Sequence, residues 1–204
     1  MQLPSPSVQP DAELLGRLRS GDERAFVFLV ERYSDSMLRV ASTYVPSRAV
    51  AEEVVQDTWL AVLRGLKGFE GRSSLRTWLF TILVNRARTT GTKEHRSIPI
   101  EDPTPVVDAA RFGPDGAWTV PPDHWIEEAE DRLAAGRIAV LLRAALDTLP
   151  PRQREIVTLR DVEGMSSGEA RDVLGISEAN QRVLLHRGRS KLRQILESEL
   201  REVR

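Results

Sequence analysis

Cysteine is absent from the 204 residues of the chain, which excludes a disulfide framework, a thiolate metal site and a cysteine nucleophile. Long hydrophobic runs are missing too: the longest, Thr77 to Val84, is far shorter than the roughly 18 residues that span a bilayer. The first ten residues contain three prolines and lack the basic-then-apolar order of a secretory signal. We therefore expect a cytoplasmic protein with no membrane insertion.

Patterns typical of catalysis and metal binding are also lacking. The three histidines, His95, His124 and His186, lie far apart in the chain and do not have metal-ligand spacing. There is no glycine-rich phosphate loop, and no two carboxylates are paired in an apolar setting. The sequence therefore predicts no enzyme activity, no catalytic residue, no metal and no cofactor.

Charge is balanced overall, with a formal net charge of −1, but it is strongly segregated along the chain. Residues 72–96 carry six bases and one acid, a net charge of +5, and residues 179–204 carry seven bases and three acids, a net charge of +4. Between them, residues 97–131 carry nine acids and one base, a net charge of −8. Blocks of one sign indicate interaction surfaces, which the overall charge conceals.

Proline marks the division of the chain. Residues 97–131 hold six of its twelve prolines, and proline removes backbone donors and fixes φ, so no helix or central strand is expected there. We interpret this stretch as an acidic linker between two domains, and the patterning on both sides is helical. The predicted fold is all-α: a disordered N-terminus 1–10, a four-helix domain 11–96, the linker 97–131, a helix-turn-helix domain 132–197 and a tail 198–204.

The first domain is predicted to contain four helices with short connections, which form a bundle. The expected breaks are Ser20-Gly21-Asp22, which also caps the second helix, and the loop Lys67 to Arg72. The four helices are Asp11 to Arg19, Glu23 to Val45, Val50 to Leu66 and Ser73 to Thr90. Periodicity places two sets of residues on buried sides: Val55, Trp59, Val62 and Leu66 on the third helix, and Leu75, Trp78, Leu79 and Ile82 on the fourth.

The second domain reads as helices from Leu133 to Leu149 and from Pro151 to Arg160, followed by a helix-turn-helix. In that motif a short helix, capped by Ser166 and ending at Leu174, is followed by a glycine-containing turn. A long helix comes next, which is capped by Ser177 and reaches about Leu196. The long helix has two sides. Leu184, Leu185, Gly188, Leu192 and Ile195 are expected to pack inward, while Arg182, Val183, His186, Ser190 and Arg193 face outward with Arg187 and Arg189 at the flanks.

This outward side is a candidate DNA-binding surface. Residues 179–196 contain five bases and no acid. A solvated basic face near a helix C-terminus is the alternative, because bases there suit the helix dipole. The bases begin at Arg182, near the start of the helix, which favours DNA contact over the dipole alone.

The other basic block is a second candidate. Arg86, Arg88, Lys93 and Arg96 are suited to phosphate contact. Aromatic side chains and short polar groups that can receive unstacked bases lie nearby: Phe69, Trp78, Phe80, Thr77, Thr81 and Asn85. For Trp78 itself, a place in the core is the favoured interpretation.

The outward face of the third helix carries Leu60 among Glu53, Gln56 and Asp57. An apolar residue in a polar patch indicates either a protein-binding surface or a single exposed leucine, which is common on protein surfaces. The helix pattern alone leaves both interpretations open.

Taken in order, several strings resemble bacterial RNA polymerase sigma factors of the extracytoplasmic-function (ECF) type. In the first domain these are Ala51-Glu52-Glu53-Val54-Val55-Gln56-Asp57-Thr58-Trp59 and Phe69-Glu70-Gly71-Arg72-Ser73-Ser74-Leu75-Arg76-Thr77-Trp78-Leu79. In the second they are Leu149-Pro150-Pro151-Arg152-Gln153-Arg154-Glu155, Leu159-Arg160-Asp161-Val162-Glu163-Gly164-Met165-Ser166 and Leu185-His186-Arg187-Gly188-Arg189. The resemblance covers about residues 11–96 and 132–197.

The resemblance implies a dissociable promoter-specificity subunit that binds core RNA polymerase, through its β′ clamp and β subunits, and promoter DNA. It implies a sigma region 2 domain at 11–96 and a sigma region 4 domain at 132–197. The face of Glu53, Gln56, Asp57 and Leu60 would dock on the clamp coiled coil. The −10 element would be held, with a flipped base, by Lys67, Phe69, Glu70, Ser73, Thr77, Asn85, Arg86 and Arg88. The −35 duplex would be read by Arg182, Val183, His186 and Arg187, with Arg189 and Arg193 nearer to phosphates.

The resemblance also bears on regulation and on the linker. Small sigma factors of this type are often held by anti-sigma proteins, so an anti-sigma factor is an expected partner. The acidic linker would thread through polymerase near the active centre and the RNA exit path. Gln181 stands where the family commonly has a buried aliphatic residue. Trp118 and Trp125 are unexpected in the linker, and either anchoring on this protein's own domains or contact with polymerase or an inhibitor would account for them.

Two other functions fit the same sequence. One is a free-standing regulator that binds operator DNA as a dimer, with residues 11–96 as a sensor. The other is an adaptor whose basic faces bind acidic protein partners. Only a sigma factor is expected to start promoter-dependent transcription when it is added to core polymerase.

Overall fold

The computed structural model describes the backbone of residues 9–94 and 140–202 and the side chains of residues 13–92 and 140–198. These residues form helices and turns, and the described ranges contain no strand, which confirms the all-α prediction. They group into two compact units: residues 9–94 with 168–175, and residues 140–167 with 176–202. The predicted linker with Trp118 and Trp125 lies outside the described residues, as do Arg96 and the side chain of Lys93. The domain boundaries stay predictions.

The first unit is built on four helices: α1 (Gln9–Arg19), α2 (Glu23–Ala41), α3 (Arg48–Gly65) and α4 (Leu75–Glu94). Helix α3 packs on both α2 and α4, α2 also contacts α4, and α1 lies on α2. A short 3-10 helix, Leu66–Gly68, follows α3. The bundle predicted from the sequence is therefore present, with α3 and α4 as its most extensive helix pair.

Capping at Asp22 confirms the predicted break between α1 and α2. Its carboxylate accepts hydrogen bonds from the N–H groups of Arg24 and Ala25, at 2.9 Å and 3.3 Å, which would otherwise lack partners at the start of α2. The Arg17 Nε donates to the same carboxylate at 2.8 Å. The Arg17 hydrogen bond, followed by that from Ala25, lowers the pKa of Asp22 below its ordinary value.

Helix α2 ends at Ala41, earlier than the predicted Val45. The hydroxyls of Ser42 and Thr43 donate to the carbonyls of Leu38 and Val40, both at 2.8 Å, and so close the last turn. Pro46 follows, and a proline disfavours helical backbone at the residue before it. The chain turns here, and α3 begins after Ser47, whose hydroxyl accepts from the Val50 N–H at 3.3 Å.

The buried side of α4 differs from the prediction. Leu75 and Leu79 are buried, but Trp78 and Ile82 are only half-buried. Because α4 contacts both α2 and α3, it needs a wider apolar face than one stripe supplies. The remaining core side chains of α4 are Phe80, Leu83, Val84 and Ala87, all with no exposed surface. The stripe predicted for α3, by contrast, is confirmed: Val55, Trp59, Val62 and Leu66 are all buried.

The second unit begins with a helix at residues 140–147, here α5, so the start of the predicted Leu133 to Leu149 helix lies outside the described residues. Next come α6 (Pro151–Val157) and a π-helical turn, Thr158–Val162. The helix-turn-helix prediction is confirmed as α7 (Ser167–Leu174), which after its first residue groups with the first unit, and α8 (Glu178–Glu202). Helix α8 runs past the predicted end near Leu196. The Ser177 hydroxyl accepts from the Asn180 N–H at 3.2 Å and caps α8 as expected.

Gly188 allows α8 to lie close against α6. A Cβ atom added at this position would be 2.7 Å from Val157 Cγ2 and 3.4 Å from Gln153 Cβ. Val157 has 1% of its surface exposed, so its branched side chain has little room to move. The absence of a side chain at Gly188 therefore sets the distance between α6 and the helix that carries the candidate DNA-binding surface.

Candidate nucleic-acid interface

The outward face of α3 is exposed as predicted. Glu53, Gln56, Asp57 and Leu60 are all exposed, and half of the Leu60 surface is open to solvent. Leu63, one turn further on, is 49% exposed and was not singled out from the sequence. Residues three apart in a helix are neighbours on its surface, so the two leucines form an apolar patch bordered by acids. The three-residue spacing between Leu60 and Leu63 is the feature of the sequence from which Leu63 could have been predicted.

The structure brings part of this face close to the candidate nucleic-acid residues on α4. Asp57 Oδ2 lies 3.6 Å from Arg86 Nη1, and the two side chains are partly exposed. They stand at an open groove of about 530 Å³ between α3 and α4. Its lining residues are Val54, Asp57, Ala61, Ile82, Asn85, Arg86, Thr89 and Thr90. Two surfaces that the sequence treats as separate are therefore adjacent.

The loop that precedes α4 presents Lys67, Glu70 and Arg72 to solvent. Glu70 and Arg72 form a surface ion pair at 2.9 Å. Phe69 points inward instead: it is 6% exposed, and its ring lies 4.8 Å from that of Trp78, measured between centroids. Of the candidate residues in this loop, Phe69 is the one that does not lie on the surface.

A contact from α1 holds the same loop, and no pattern in the sequence pointed to it. The Arg19 guanidinium donates a hydrogen bond from Nη2 to the carbonyl of Phe69, fifty residues away. The bond is partly buried, and it fixes the backbone next to the ring pair of Phe69 and Trp78.

The candidate residues of α4 lie at different depths. Asn85 is exposed, and Ser73, Arg86 and Arg88 are half-buried. Thr77 is 3% exposed, and its N–H donates to the Ser74 hydroxyl at 3.1 Å. The predicted polar stripe of Thr77, Thr81 and Asn85 is therefore fully exposed only at its last member.

Of the candidate DNA-binding residues of α8, Arg182, Val183 and Arg187 are exposed. His186 lies between them and is half-buried. Arg182 pairs with Glu178 at 3.2 Å, and both side chains are more than half exposed. An exposed pair of this kind contributes about 0.3–0.5 kcal/mol at i,i+4 spacing in a helix, so Arg182 is readily available to another partner.

Arg189 and Arg193, further along α8, are less exposed than Arg182 and form ion pairs within the protein. Arg189 forms an ion pair with Asp161, and Arg193 with Glu197. Ser190, which the helix pattern placed outward, is 6% exposed, so that part of the prediction is wrong. Helix α6 packs on this stretch of α8 and covers one side of it. The exposed members of the candidate set are therefore confined to the first part of the helix.

Gln181 is buried, with 2% of its surface exposed. Its side-chain oxygen accepts a hydrogen bond from the Ser167 hydroxyl at 2.8 Å. A buried polar group needs such a partner, and here it joins the first residue of α7 to the first turn of α8.

Within residues 9–94 and 140–202, no cluster of three or more His, Asp or Glu side chains is placed to hold a metal ion. Over the same part of the chain, no helix is both long enough and apolar enough to cross a membrane.

Two known families match the chain in order. Residues 29–96 match Sigma-70 region 2, and residues 139–192 match Sigma-70, region 4. The first match covers most of α2, all of α3 and α4, and the loop between them. The second covers α6 and α7 and the first half of α8, including its exposed arginines.

Similar proteins span nearly the whole chain. The ECF RNA polymerase sigma-E factor of Salmonella typhimurium is 29% identical over 182 residues, which are 89% of this chain and 92% of that protein. The RNA polymerase sigma-H factor of Pseudomonas aeruginosa is 29% identical over 194 residues, 95% of this chain and 97% of that protein. Among solved structures, CnrH in complex with the cytosolic domain of CnrY has a TM-score of 0.61 at 26% identity, covering 92% of this chain and 97% of that one.

Proposed function

Because the chain belongs to the sigma-70 family of RNA polymerase subunits, as a sigma factor of the ECF type, we propose that it selects promoters through two separate DNA-binding surfaces. One is the exposed start of α8, which would read the −35 duplex. The other is the loop and helix around Lys67 to Arg88, which would hold the melted −10 strand. The observation that carries the proposal is the ordered match to regions 2 and 4, with exposed basic residues in both.

For the −35 element, Arg182, Val183 and Arg187 are the proposed base-reading residues. The first turns of a recognition helix contact base edges when the helix lies in the major groove. An arginine there can donate two hydrogen bonds to O6 and N7 of guanine, and the Val183 side chain, 47% exposed, suits a thymine methyl group. His186, which is half-buried, would stand at the edge of this surface.

For the −10 element, the proposed contacts are the residues that reach the surface. Flipping a base out of the stack costs a few kcal/mol, so the site must supply stacking and hydrogen bonds in return. Phe69 and Thr77, which are buried, are proposed to shape the loop and the start of α4 and not to touch DNA in this conformation. The contacting residues would be Lys67, Glu70, Ser73, Asn85, Arg86 and Arg88.

Core RNA polymerase would bind the face of Glu53, Gln56, Asp57 and Leu60, and we add Leu63 to it. An apolar pair inside a charged rim is the usual anatomy of a protein interface. The proposed contact is the clamp coiled coil of the β′ subunit, with further contacts to β.

The linker, the location and the regulation are also proposals. The acidic residues 97–131 would occupy a basic channel of polymerase near the RNA path, where they mimic nucleic acid. The protein would act in the cytoplasm without a cofactor or a catalytic step of its own. CnrH was solved in complex with the cytosolic domain of another protein, which supports an anti-sigma protein as a regulatory partner.

Transcription in vitro tests this function directly. Purified core polymerase lacking any sigma factor, supplied with the full chain and a set of candidate promoters, should start transcripts at defined positions. A free-standing operator-binding regulator would bind duplex DNA without polymerase, and an adaptor would support neither reaction. If no promoter in the set gives transcripts that start at a defined site, the proposal is rejected.

Replacing Arg182 with alanine should weaken discrimination of the −35 sequence and leave core binding intact. A bidentate arginine–base contact is worth about 1–3 kcal/mol of discrimination. The ratio of activities on promoters with a correct and a substituted −35 element should therefore be about 5–150-fold smaller for the variant than for the wild type. Run-off transcription on the two promoters measures the difference. Arg143→Ala, an exposed arginine on α5, is the charge-matched control. An equal loss with the control would assign the effect to overall charge.

A further inference from the structure

Arg189 lies within the helix that bears the proposed base-reading residues, yet its guanidinium faces α6. Its Nη2 donates to Asp161 Oδ1 at 2.6 Å and its Nε donates to Asp161 Oδ2 at 2.9 Å. Two parallel hydrogen bonds between a guanidinium and a carboxylate are the strongest and most directional form of ion pair. Only 13% of the Arg189 side chain is exposed, against 59% for Arg182.

Asp161 belongs to the π-helical turn Thr158–Val162 that continues α6. A second contact holds this turn, because the Arg160 guanidinium donates to the carbonyl of Met165. The backbone that carries Asp161 is therefore braced independently of α8. An ion pair to a braced carboxylate restricts the helix that bears the arginine.

The pair stands next to the closest approach of the two helices. Gly188, one residue before Arg189, fixes the distance between α8 and α6 through its contact with Val157. A close contact of this kind limits how near the helices come but leaves α8 able to roll about its own axis. The two hydrogen bonds from Arg189 to Asp161 oppose that roll, because a fork of two bonds holds direction as well as distance.

We propose that Asp161 and Arg189 are a positioning pair for promoter recognition, which sets the roll of α8 and so aims Arg182, Val183 and Arg187 at the base edges of the −35 duplex. The inference rests on the function proposed above and reassigns Arg189, which the sequence placed against a phosphate. Neither residue of the pair needs to touch DNA.

A phosphate contact for Arg189 makes the opposite prediction for a change at Asp161. If the arginine bound phosphate, Asp161 would compete with DNA for it, and Asp161→Asn would raise the affinity for DNA. If the pair positions the helix, Asp161→Asn lowers discrimination of the −35 sequence. The sign of this one effect separates the two roles.

Arg189→Lys also distinguishes the positioning role from a phosphate contact. Lysine keeps the positive charge and can still contact a phosphate, but its single ammonium cannot reproduce the planar two-bond fork. A positioning pair is therefore impaired by this substitution, whereas a phosphate contact largely survives it.

The test uses holoenzyme assembled from core polymerase and the full chain, and measures affinity for promoter DNA with a correct or a substituted −35 element at several salt concentrations. Both Asp161→Asn and Arg189→Lys should reduce the affinity ratio for the two promoters by about five- to tenfold, which is part of the discrimination of about 5–150-fold that an arginine–base contact supplies. The salt slope should stay unchanged, since each lost phosphate contact would lower it by about 0.9. The double variant should be no worse than either single one.

Asp147→Asn is the matched control, because Asp147 also pairs with an arginine in the same unit, Arg154 at 3.2 Å, but this arginine belongs to α6 and not to α8. It should change the affinity ratio by less than about twofold, as expected for a largely exposed carboxylate. Thermal unfolding and core binding identify a variant that fails to fold. Core binding should stay near wild type, and the unfolding transition should stay cooperative with a lowered midpoint, as expected for loss of a charged hydrogen-bond pair. An affinity gain for Asp161→Asn, a reduced salt slope for Arg189→Ala, or an unchanged ratio for Arg189→Lys would overturn the positioning role. If the wild-type holoenzyme binds both promoters with equal affinity, the proposed −35 recognition is rejected, and the positioning role with it.

Discussion

Replacing Leu60 with aspartate should abolish detectable association with core RNA polymerase at concentrations where the wild-type chain binds fully. Leu60 is 50% exposed at the centre of the proposed docking face, and Leu63 beside it is almost equally exposed. We expect Leu60 to be one of the few hot-spot residues of this interface, each of which contributes about 2 kcal/mol or more, so truncation alone should weaken binding by about 30-fold. Burying an unpaired carboxylate there adds a further desolvation cost. Competition against a fluorescently labelled wild-type chain for core polymerase measures the loss.

Val140→Asp is the matched control for this prediction. Val140 is an apolar residue of α5 with 69% of its surface exposed, so the substitution introduces the same carboxylate at an exposed apolar position that is not part of the proposed docking face. It should compete for core polymerase as well as the wild type does. If Leu60→Asp also competes normally, the face on α3 is not where polymerase binds.

Gly188→Ala should destabilise the second unit and remove −35 recognition at the same time. The new Cβ would lie 2.7 Å from Val157 Cγ2, which is closer than two carbon atoms can approach, so α8 must move away from α6. Overpacking of this kind costs about 1–3 kcal/mol. The better helix propensity of alanine offsets no more than about 1 kcal/mol of that cost. Moving α8 would also separate Arg189 from Asp161.

Thermal unfolding followed by circular dichroism, together with promoter discrimination by the holoenzyme, measures both effects. Gly16→Ala is the control, because Gly16 is an exposed residue in α1 and an added Cβ there would meet nothing within 4 Å. It should stabilise the protein slightly, by up to about 1 kcal/mol. In the Gly188→Ala background, Val157→Ala should restore part of the lost discrimination because it makes room for the new methyl group. Full wild-type stability of Gly188→Ala would contradict the close packing on which this prediction depends.

The sequence by itself was sufficient to predict the helices, their order along the chain and those buried or exposed faces that the pattern within a single helix defines. Asp22 and Ser177 were predicted as caps, because a cap is a contact between residues two or three apart. The buried stripe and the exposed face of α3 were also predicted correctly, because the polar residues of this helix lie opposite its stripe of apolar residues. The family resemblance came from the same local strings, read in order along the chain.

Only the tertiary structure decided which side chains meet across helices. Helical periodicity could not place the buried side of α4, because apolar residues occur on more than one side of this helix and no single stripe marks the core. Nor could it reveal that Arg19 holds the backbone of Phe69, or that Phe69 packs on Trp78 and turns away from solvent. A helical wheel gives the direction of a side chain and not the partner that stands there.

Arg189 illustrates the same limit in the site itself. The sequence shows a basic residue among other basic residues on α8, and every one of them is compatible with phosphate binding. Its partner, Asp161, lies 28 residues earlier in the chain and becomes a neighbour only when α6 packs on α8. Charges interact according to their separation in space, which folding sets and the order of residues along the chain does not. Composition and periodicity therefore determined that this helix is basic, while the packed structure determined which of its arginines remain open to DNA.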